Sequence, residues 1–292
     1  MTNPDKPTIS QDIRIRHSLD IDEIQRRALS FESHLLAKVE AARRNLIICN
    51  SLRLQSLEYA AQTLVLDPES PQVWRWLRVG SQAAEAIFAG AMATGDHIEV
   101  RIGEGSPTRV PSAVTPDLHD VGNWTDGFLM ATICREKEVV DSLCRVPIEL
   151  LRRSTTRGLE HTYLFVQALQ SYCRRGQDSA EWAQAALRAT EDRSIPSPTL
   201  NTTRELSRPA IEVLLRLIGG RGELLNESLT RALELHREFW GRSEDKARDP
   251  SGYFSLRLTG LAALAHDAGI PITVESDYLP MALVRGNRRP SD

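Results

Sequence analysis

The chain contains seven histidines, the side chain that most often binds a catalytic metal. A zinc hydrolase places two ligands about one helical turn apart, so that both reach the same ion. No two of these histidines are four residues apart, and neither Cys134 nor Cys144 has a histidine near it. The sequence therefore predicts no metal site, although a site assembled only by the fold is left open. The histidines are His17, His34, His97, His119, His161, His236 and His266.

Other patterns that carry chemistry are absent or have a simpler explanation. The GxSxG nucleophile elbow of the α/β-hydrolases is missing, as is a DDxxD run that could bind magnesium. The glycines of 219–222 could approach a phosphate, but no strand precedes them and no Lys-Ser or Lys-Thr follows. We interpret them as a turn between helices. The pairs Asp117 with Asp120 and Glu275 with Asp277 are explained as helix-start or loop anions. We predict no catalytic residue and no cofactor.

Composition limits the class of protein. Of 292 residues, 41% are hydrophobic and 26% are charged, which is typical of a folded chain and not of a disordered one. The formal net charge of -3 gives no reason to expect nucleic acid or an anionic membrane as a partner. There is no apolar run that could span a bilayer, and no signal-peptide pattern. Four scattered cysteines, without a CxxC pair, predict a cytoplasmic protein with reduced thiols.

The elements that must position any functional group are almost all helical. Apolar residues recur at steps of three and four along most of the chain, as at Ile21, Ile24 and Ala28. This periodicity predicts helices over 19–44, 46–66, 71–95, 120–135, 139–145, 148–153, 159–174, 178–190, 209–218, 223–240 and 253–267.

One segment has the alternation of a strand. Residues 97–102 alternate polar and apolar side chains, a glycine-rich turn follows, and 108–110 can pair back. We therefore predict an all-α fold, an irregular stack of antiparallel helix pairs with one small β-hairpin. We expect a disordered or extended segment over 1–18, a single domain over 19–285 with a possible lobe boundary near 105–117, and a frayed tail over 286–292.

Several local details follow from the same patterns. Asp178 and Glu181 are spaced as a capping box. Residues 191–206, with two prolines, are expected to form a loop that ends at Ser207, a helix cap, and 241–252 a polar loop. His236 lies on an apolar helical stripe and is expected to be a hydrogen-bonded core residue. The five tryptophans fall at helical spacings and are expected in the core.

A set of short strings, spread from about Trp74 to Pro280, resembles the immunity 49 family of bacterial polymorphic toxin systems. None is a catalytic signature, so the resemblance depends on their number and order. The strings are Gly122-Asn-Trp124; Ile133-Cys-Arg135; Leu143-Cys144; Val146-Pro147; Leu150-Leu-Arg152 with Ser154; Leu169-Gln170 with Tyr172; Ala232-Leu-Glu-Leu-His236 with Trp240; Asp249-Pro250 with Gly252; Asp267, Gly269 and Pro271; and Glu275-Ser-Asp-Tyr-Leu-Pro280.

The resemblance implies a helical intracellular antidote, an immunity protein that binds and neutralises a cognate toxin domain and is not an enzyme. It carries over no catalytic residues, and it does not extend to the first ~70 residues. Two alternatives stay open. One is an α-helical enzyme or small-ligand sensor, which a deep pocket with converging titratable groups would favour. The other is a tetratricopeptide-like scaffold, which a concave superhelix would favour.

Four polar residues are candidates for contact with a toxin. Glu104 stands between two glycines in the predicted hairpin turn, where it could face a basic partner. Asn123, Glu275 and Asp277 belong to the strings above and could either cap helix ends or face the partner. Trp124, Leu143, Pro147 and Tyr278, by contrast, are expected to be packing or turn residues.

Overall fold

A computed structural model describes residues 13–191, 193 and 195–287 of the chain. These residues are mostly helical, and their strands form a two-stranded antiparallel sheet, so the predicted all-α fold is confirmed. No helix in the described part of the chain is long and apolar enough to cross a bilayer. The expectations for residues 1–12 and for 288–292 fall outside the described residues.

The first half of the chain begins with three long helices and the hairpin. They are α1 (Ile21–Ala42), α2 (Ile47–Leu66), α3 (Pro71–Met92), β1 (His97–Val100) and β2 (Thr108–Pro111). The two strands pair as predicted, with Ile98 opposite Val110. Gly103 and Gly105, in the turn between them, both have positive φ, a backbone conformation that glycine adopts without strain.

The remaining helices follow through short connections. In the middle of the chain they are α4 (Val121–Cys134), α5 (Lys137–Cys144), α6 (Ile148–Arg153), α7 (Glu160–Cys173) and α8 (Ser179–Ala189). The C-terminal part contains α9 (Ser197–Thr202), a π-helical turn (Thr203–Ser207), α10 (Arg208–Ile218), α11 (Gly222–Trp240), α12 (Glu244–Ala247), a 3-10 turn (Pro250–Gly252), α13 (Leu256–Asp267) and α14 (Met281–Arg285).

The prediction of a loop ending at Ser207 is wrong. Residues 197–207 are helical, and Ser207 has helical dihedrals and caps nothing. The prolines suggested a break, because a proline ring clashes with the carbonyl four residues before it. Here Pro198 stands in the first turn of α9, and the π turn precedes Pro209: the Arg208 N–H reaches back five residues to the Thr203 carbonyl. That wider turn joins α9 to α10 as one helical run.

Two smaller expectations are also wrong. The carboxylate of Asp178 makes no cap bond, because it accepts instead from the Ser171 hydroxyl and from the Trp182 indole N–H. The segment 241–252 is not wholly a loop, since it contains α12 and the 3-10 turn.

Helix α4 lies at the centre of the fold. Twelve of its fourteen residues are buried, including Phe128 and Leu129, and it packs against α3, α5, α7 and α13. Two apolar clusters share it: one includes α1 to α3 and the hairpin, and the other includes α7, α10 and α11. Packing on both sides of α4 therefore joins the two halves of the chain.

A buried hydrogen-bond network ties α4 to the chain that follows it. The Trp124 indole N–H donates to the Leu143 carbonyl at 2.8 Å, and Gln170 Nε2 donates to the Val146 carbonyl at 2.8 Å. These carbonyls end α5 or follow it directly, where a helix leaves its last carbonyls without partners of its own. Trp124, Leu143 and Tyr278 are fully buried, as expected, while Pro147 is an exposed turn residue before α6.

Both ends of the described chain meet in the C-terminal half. Residues 14–18 belong to no helix or strand, the preceding Ile13 is buried, and the Ser276 hydroxyl donates to the Ile13 carbonyl at 2.5 Å. Arg135, at the end of α4 with φ of 57°, donates to the carbonyls of Leu283 and Val284 and pairs with Asp267. This one guanidinium holds α14 against α4.

Helices α3 and α4 approach most closely at Gly127. A Cβ added there would lie 2.3 Å from the Ala84 Cβ, and 3.7 Å from the Ala84 Cα. We expect Gly127→Ala to lower the free energy of unfolding by about 1–3 kcal/mol, because the helices must move apart. Ala84→Gly alone should cost about 1 kcal/mol of helix propensity. The double variant should be more stable than Gly127→Ala, which urea unfolding of all four proteins measures. Additive losses would contradict this contact.

Candidate functional site

A cavity of about 620 Å³ opens between α2 and the C-terminal helices. One wall is the face of α2 that carries Leu54, Glu58 and Ala61. The opposite wall comes from the π turn, α11, the 3-10 turn and the start of α13, with Asp126 of α4 between them. The cavity thus lies where the N-terminal helices meet the second half of the chain.

The walls of the cavity are mostly apolar. Trp240 and Phe254 contribute aromatic rings, and Ala232 and Leu258 contribute buried aliphatic groups. Gly252 fixes the position of the tryptophan, because a Cβ at that residue would lie 2.6 Å from Trp240 Cγ. The expectation that every tryptophan is a core residue therefore needs correction at Trp240, which is half-buried and lines the cavity.

Four carboxylates and one guanidinium also line the cavity. Glu205 pairs with Arg242 at 2.7 Å. Glu58 and Asp249 have no ion pair among the described residues: Glu58 accepts from the Gln62 amide, and Asp249 caps the 3-10 turn by accepting from the Ser251 N–H. Burial raises the pKa of Glu58; the charge of Arg27 opposes that effect, and the charge of Asp249 adds to it.

The Asp126 carboxylate of the cavity wall lies near two arginines, Arg53 and Arg257. Arg53, which is buried, donates from Nη1 to Asp126 Oδ2 at 2.5 Å. Arg257 lines the cavity near the same carboxylate and donates to the Ser207 hydroxyl at 3.1 Å. Burial lowers the pKa of Arg257, and the charge of Asp126 partly offsets that effect. The π turn positions Ser207 for this bond.

A pair of histidines surrounds Tyr278 next to the cavity. The Tyr278 hydroxyl donates to His17 Nδ1 at 2.7 Å, since His17 Nε2 donates to the Ala247 carbonyl. His236 packs edge-on against Tyr278 and donates from Nε2 to the Gly252 carbonyl at 3.2 Å. Burial lowers the pKa of His236 to about 3, so its ring is neutral at pH 7. His236 is thus the hydrogen-bonded core histidine that the sequence predicts, although its helix also forms part of the cavity wall.

The described groups of the cavity include features that small-ligand sites use. Among the described residues no group of three or more histidines, cysteines or carboxylates is placed to bind a metal ion. The four cysteines have no disulfide bond. The cavity offers apolar surface, aromatic rings and fixed negative charge, which are the elements of a small-ligand site.

The second feature of interest is a set of exposed aliphatic side chains on α1 and α2. On α1, Ile21, Leu29 and Leu36 are exposed at spacings of eight and seven residues, which keeps them on one side of the helix. Ile47 and Leu54 do the same on α2. Leu29 is the most exposed of these, at 79%. Within the described residues, the exposed large hydrophobic side chains all lie between residues 15 and 66. We call the five named here the outer aliphatic face.

The four candidate contact residues do not form one site. Glu104 is exposed at the hairpin turn, where its carbonyl accepts from Arg43 beyond the end of α1. Asp277 is exposed in the segment between α13 and α14, and its Oδ2 accepts from the Arg16 N–H at 3.1 Å. Glu104 therefore contacts a residue that follows α1 in the chain, and Asp277 contacts one that precedes it.

Asn123 and Glu275 differ in accessibility. Asn123 is 4% exposed, and its side-chain amide donates to the Leu118 carbonyl at 2.7 Å, so it supports the start of α4 from inside. Asp120 caps the same helix end by accepting from the N–H groups of Gly122 and Asn123. Glu275 is exposed in the segment between α13 and α14. Sequence patterns did not indicate Glu58, Asp126 or Glu205, and they included Asp249 only in a family string, because these residues meet only in the fold.

Comparison with known proteins gives one match. The sequence model of a family described as Immunity protein 49 matches residues 67–283, which is most of the chain. No curated protein and no solved structure matches the chain. The matched range excludes α1 and α2, and hence the outer aliphatic face and one wall of the cavity.

Buried neutral histidines make stability depend on pH. His161 is 2% exposed, and burial lowers its pKa to about 4, with the charge of Arg257 acting in the same direction. Below about pH 6.5, the pKa of a histidine in the unfolded chain, the His161 imidazole is protonated in the unfolded state but stays neutral in the folded state. Stability is therefore lost as pH falls from about 6.5 toward 4, by about 1.4 kcal/mol per pH unit for this histidine.

We expect His161→Gln to remove that part of the pH dependence. Urea unfolding at pH 5, 6 and 7 should give a slope that is shallower than that of the unsubstituted protein by about 1.4 kcal/mol per pH unit below pH 6. The same substitution at His34, which is exposed, controls for the change of side chain. Equal slopes for the His161→Gln variant and the unsubstituted protein would show that His161 is protonated in the folded state.

Proposed function

Since this chain belongs to the family described as Immunity protein 49, we propose that it is an antidote that binds a cognate toxin domain and blocks it. In this proposal it acts in the bacterial cytoplasm, as part of a polymorphic toxin system, and catalyses no reaction. The observation that carries the proposal is the family match over residues 67–283.

The outer aliphatic face supports a protein partner. Soluble proteins leave large apolar side chains exposed in groups mainly where another surface covers them. This face lies outside the range that matches the family, so a shared scaffold would carry a separate helical hairpin for partner contact. We propose that the toxin domain docks on this hairpin, with Leu29 and Leu36 as the central contacts.

The exposed carboxylates extend that proposal. Glu104 stands beyond the end of α1, next to Arg43, and Asp277 stands beyond its beginning, next to Arg16. Acidic groups flanking an aliphatic face suit a toxin with a basic surface, because complementary charge speeds the encounter. Glu275, also exposed, is a further candidate, while the buried Asn123 serves the start of α4.

The cavity favours a second candidate function, the binding of a small ligand. Its volume and its converging titratable groups are the features that distinguish a sensor or enzyme from a plain interaction module. A tetratricopeptide-like scaffold has less support. Repeats in a solenoid contact only their neighbours, whereas α4 packs against α13 as well as α3 and α5.

Substitution on the outer aliphatic face tests the docking surface. We expect Leu29→Asp to raise the Kd for the toxin domain at least about tenfold, because a central apolar contact would be replaced by a charge. The melting temperature should stay nearly constant, since Leu29 is 79% exposed. The partner for this test is the C-terminal domain of a large secreted protein, to be identified by sequencing the reading frames on either side of the gene. Calorimetry gives the Kd, and co-expression with that domain gives growth rescue.

A matched control keeps the docking test specific. Gln184→Asp adds the same charge at an exposed position on α8 and should leave both affinity and rescue unchanged. If the unsubstituted chain neither binds the domain nor restores growth, the antidote function is wrong for this pair. If it binds and Leu29→Asp binds equally well, the function stands but the docking surface lies elsewhere.

Charge reversal at the hairpin turn tests the acidic flank. We expect Glu104→Arg to slow association with a basic toxin several-fold at low salt, with little change at high salt, because screening removes long-range steering. The melting temperature should not change, since the side chain is exposed. As a control, Glu149→Arg makes the same change of net charge at an exposed position on α6. Stopped-flow rates that are equal for the two variants would exclude Glu104 from the interface.

A further inference from the structure

We propose that the cavity between α2 and the C-terminal helices binds an organic cation on an apolar stem, an alkylammonium or alkylguanidinium group. This site is separate from the outer aliphatic face, except that Leu54 borders both. The inference does not depend on the antidote function.

Size and lining come first in the argument. A volume of about 620 Å³ falls within the range of about 300–1,000 Å³ that small-molecule sites occupy. The apolar groups of Leu57, Ala61, Ala232 and Leu258 form much of the wall. An alkyl stem would displace water from these groups, which favours binding in proportion to the apolar area covered.

The sign of the ligand's charge follows from the pairing of the wall carboxylates. Asp126 and Glu205 are each neutralised by an arginine, Arg53 and Arg242. Glu58 and Asp249 interact electrostatically with each other, and neither has an ion pair among the described residues. Arg27 also acts on Glu58, but its guanidinium forms an ion pair with Glu23. The negative charge of Glu58 and Asp249 is therefore available to a ligand.

The remaining groups of the wall also suit a cation. Trp240 and Phe254 present aromatic rings to the cavity, and a cation is attracted to the face of such a ring. Arg257, the one positive side chain in the wall, is held by Ser207 near Asp126. An anion would have to approach Glu58 and Asp249 in a wall whose positive side chain, Arg257, lies near Asp126 instead, and like charges repel.

Two sources could supply this chemistry, and two probes distinguish them. Agmatine, which carries a guanidinium and an ammonium group at the two ends of a four-carbon stem, represents a free small cation. N-acetyl-arginine methylamide, with one guanidinium group, represents an arginine side chain of a protein partner. For agmatine we expect a Kd of about 1 mM or tighter, in line with the efficiency of ligands of this size. 1-Pentanol has a similar stem without charge and should bind weaker by on the order of tenfold. Calorimetry on the full chain measures all three.

Two variants remove the charge and keep the fold. Glu58→Gln can still accept from the Gln62 amide, and Asp249→Asn can still accept from the Ser251 N–H. Together they should weaken agmatine binding at least about tenfold, to the level of 1-pentanol. Asp245→Asn removes an exposed carboxylate of α12 outside the cavity and should change nothing.

A third variant tests the location without changing charge. Ser251 is exposed and lines the cavity, so Ser251→Trp should obstruct its opening and abolish binding while the melting temperature stays constant. Agmatine binding that is lost in both sets of variants supports the proposal. If the capped arginine then binds at least as tightly as agmatine, the source is a partner's side chain; if only agmatine binds, it is a free cation.

Four outcomes would overturn the proposal that the cavity binds an organic cation. The proposal is overturned if neither cation shows binding at a ligand concentration of about ten times the expected Kd. It is also overturned if 1-pentanol binds as tightly as agmatine. It is also overturned if the charge-removing variants or Ser251→Trp bind agmatine unchanged. Because none of these measurements includes a toxin, a failed antidote function would not alter them.

Discussion

The burial of α4 is the constraint on which the rest of the structure depends. A helix surrounded by protein on nearly all sides leaves little water for the polar groups beside it, so a polar group there costs free energy unless it finds an internal partner. The Trp124 indole meets the Leu143 carbonyl, and the Asn123 amide meets the Leu118 carbonyl. Close packing adds a steric demand, which Gly127 satisfies against Ala84. These contacts fix where α3, α5 and α7 can lie.

The strings that carry the family resemblance divide between two tasks. Trp124, Leu143, Gln170 and Arg135 hold helix ends together through buried or half-buried hydrogen bonds. The strings around 232–240 and 249–252 instead form the cavity wall, where Gly252 packs on Trp240 and Asp249 caps the 3-10 turn. A match built mostly from scaffold contacts thus also contains one wall of a site.

The other cavity wall comes from α2, which lies outside the matched range. Glu58 on α2 and Asp249 at the start of the 3-10 turn are 191 positions apart in sequence, yet the charge of Asp249 contributes to raising the pKa of Glu58. A ligand bound between them would contact both the α1–α2 helix pair and the part of the chain that matches the family. The outer aliphatic face lies on the same hairpin, so the two proposed sites share one structural element.

The sequence alone determined the helices, the hairpin and the burial of Trp124 and His236, because their signals are local: periodicity, turn residues and a polar atom on an apolar stripe. It failed at 197–207, where two prolines suggested a break, since only tertiary packing made the π turn favourable. The capping box predicted at Asp178 is absent because its carboxylate accepts hydrogen bonds from the Ser171 hydroxyl and the Trp182 indole instead. The cavity was decided by the tertiary structure alone, because its charges come from distant segments, and no local pattern records which carboxylates an arginine will neutralise.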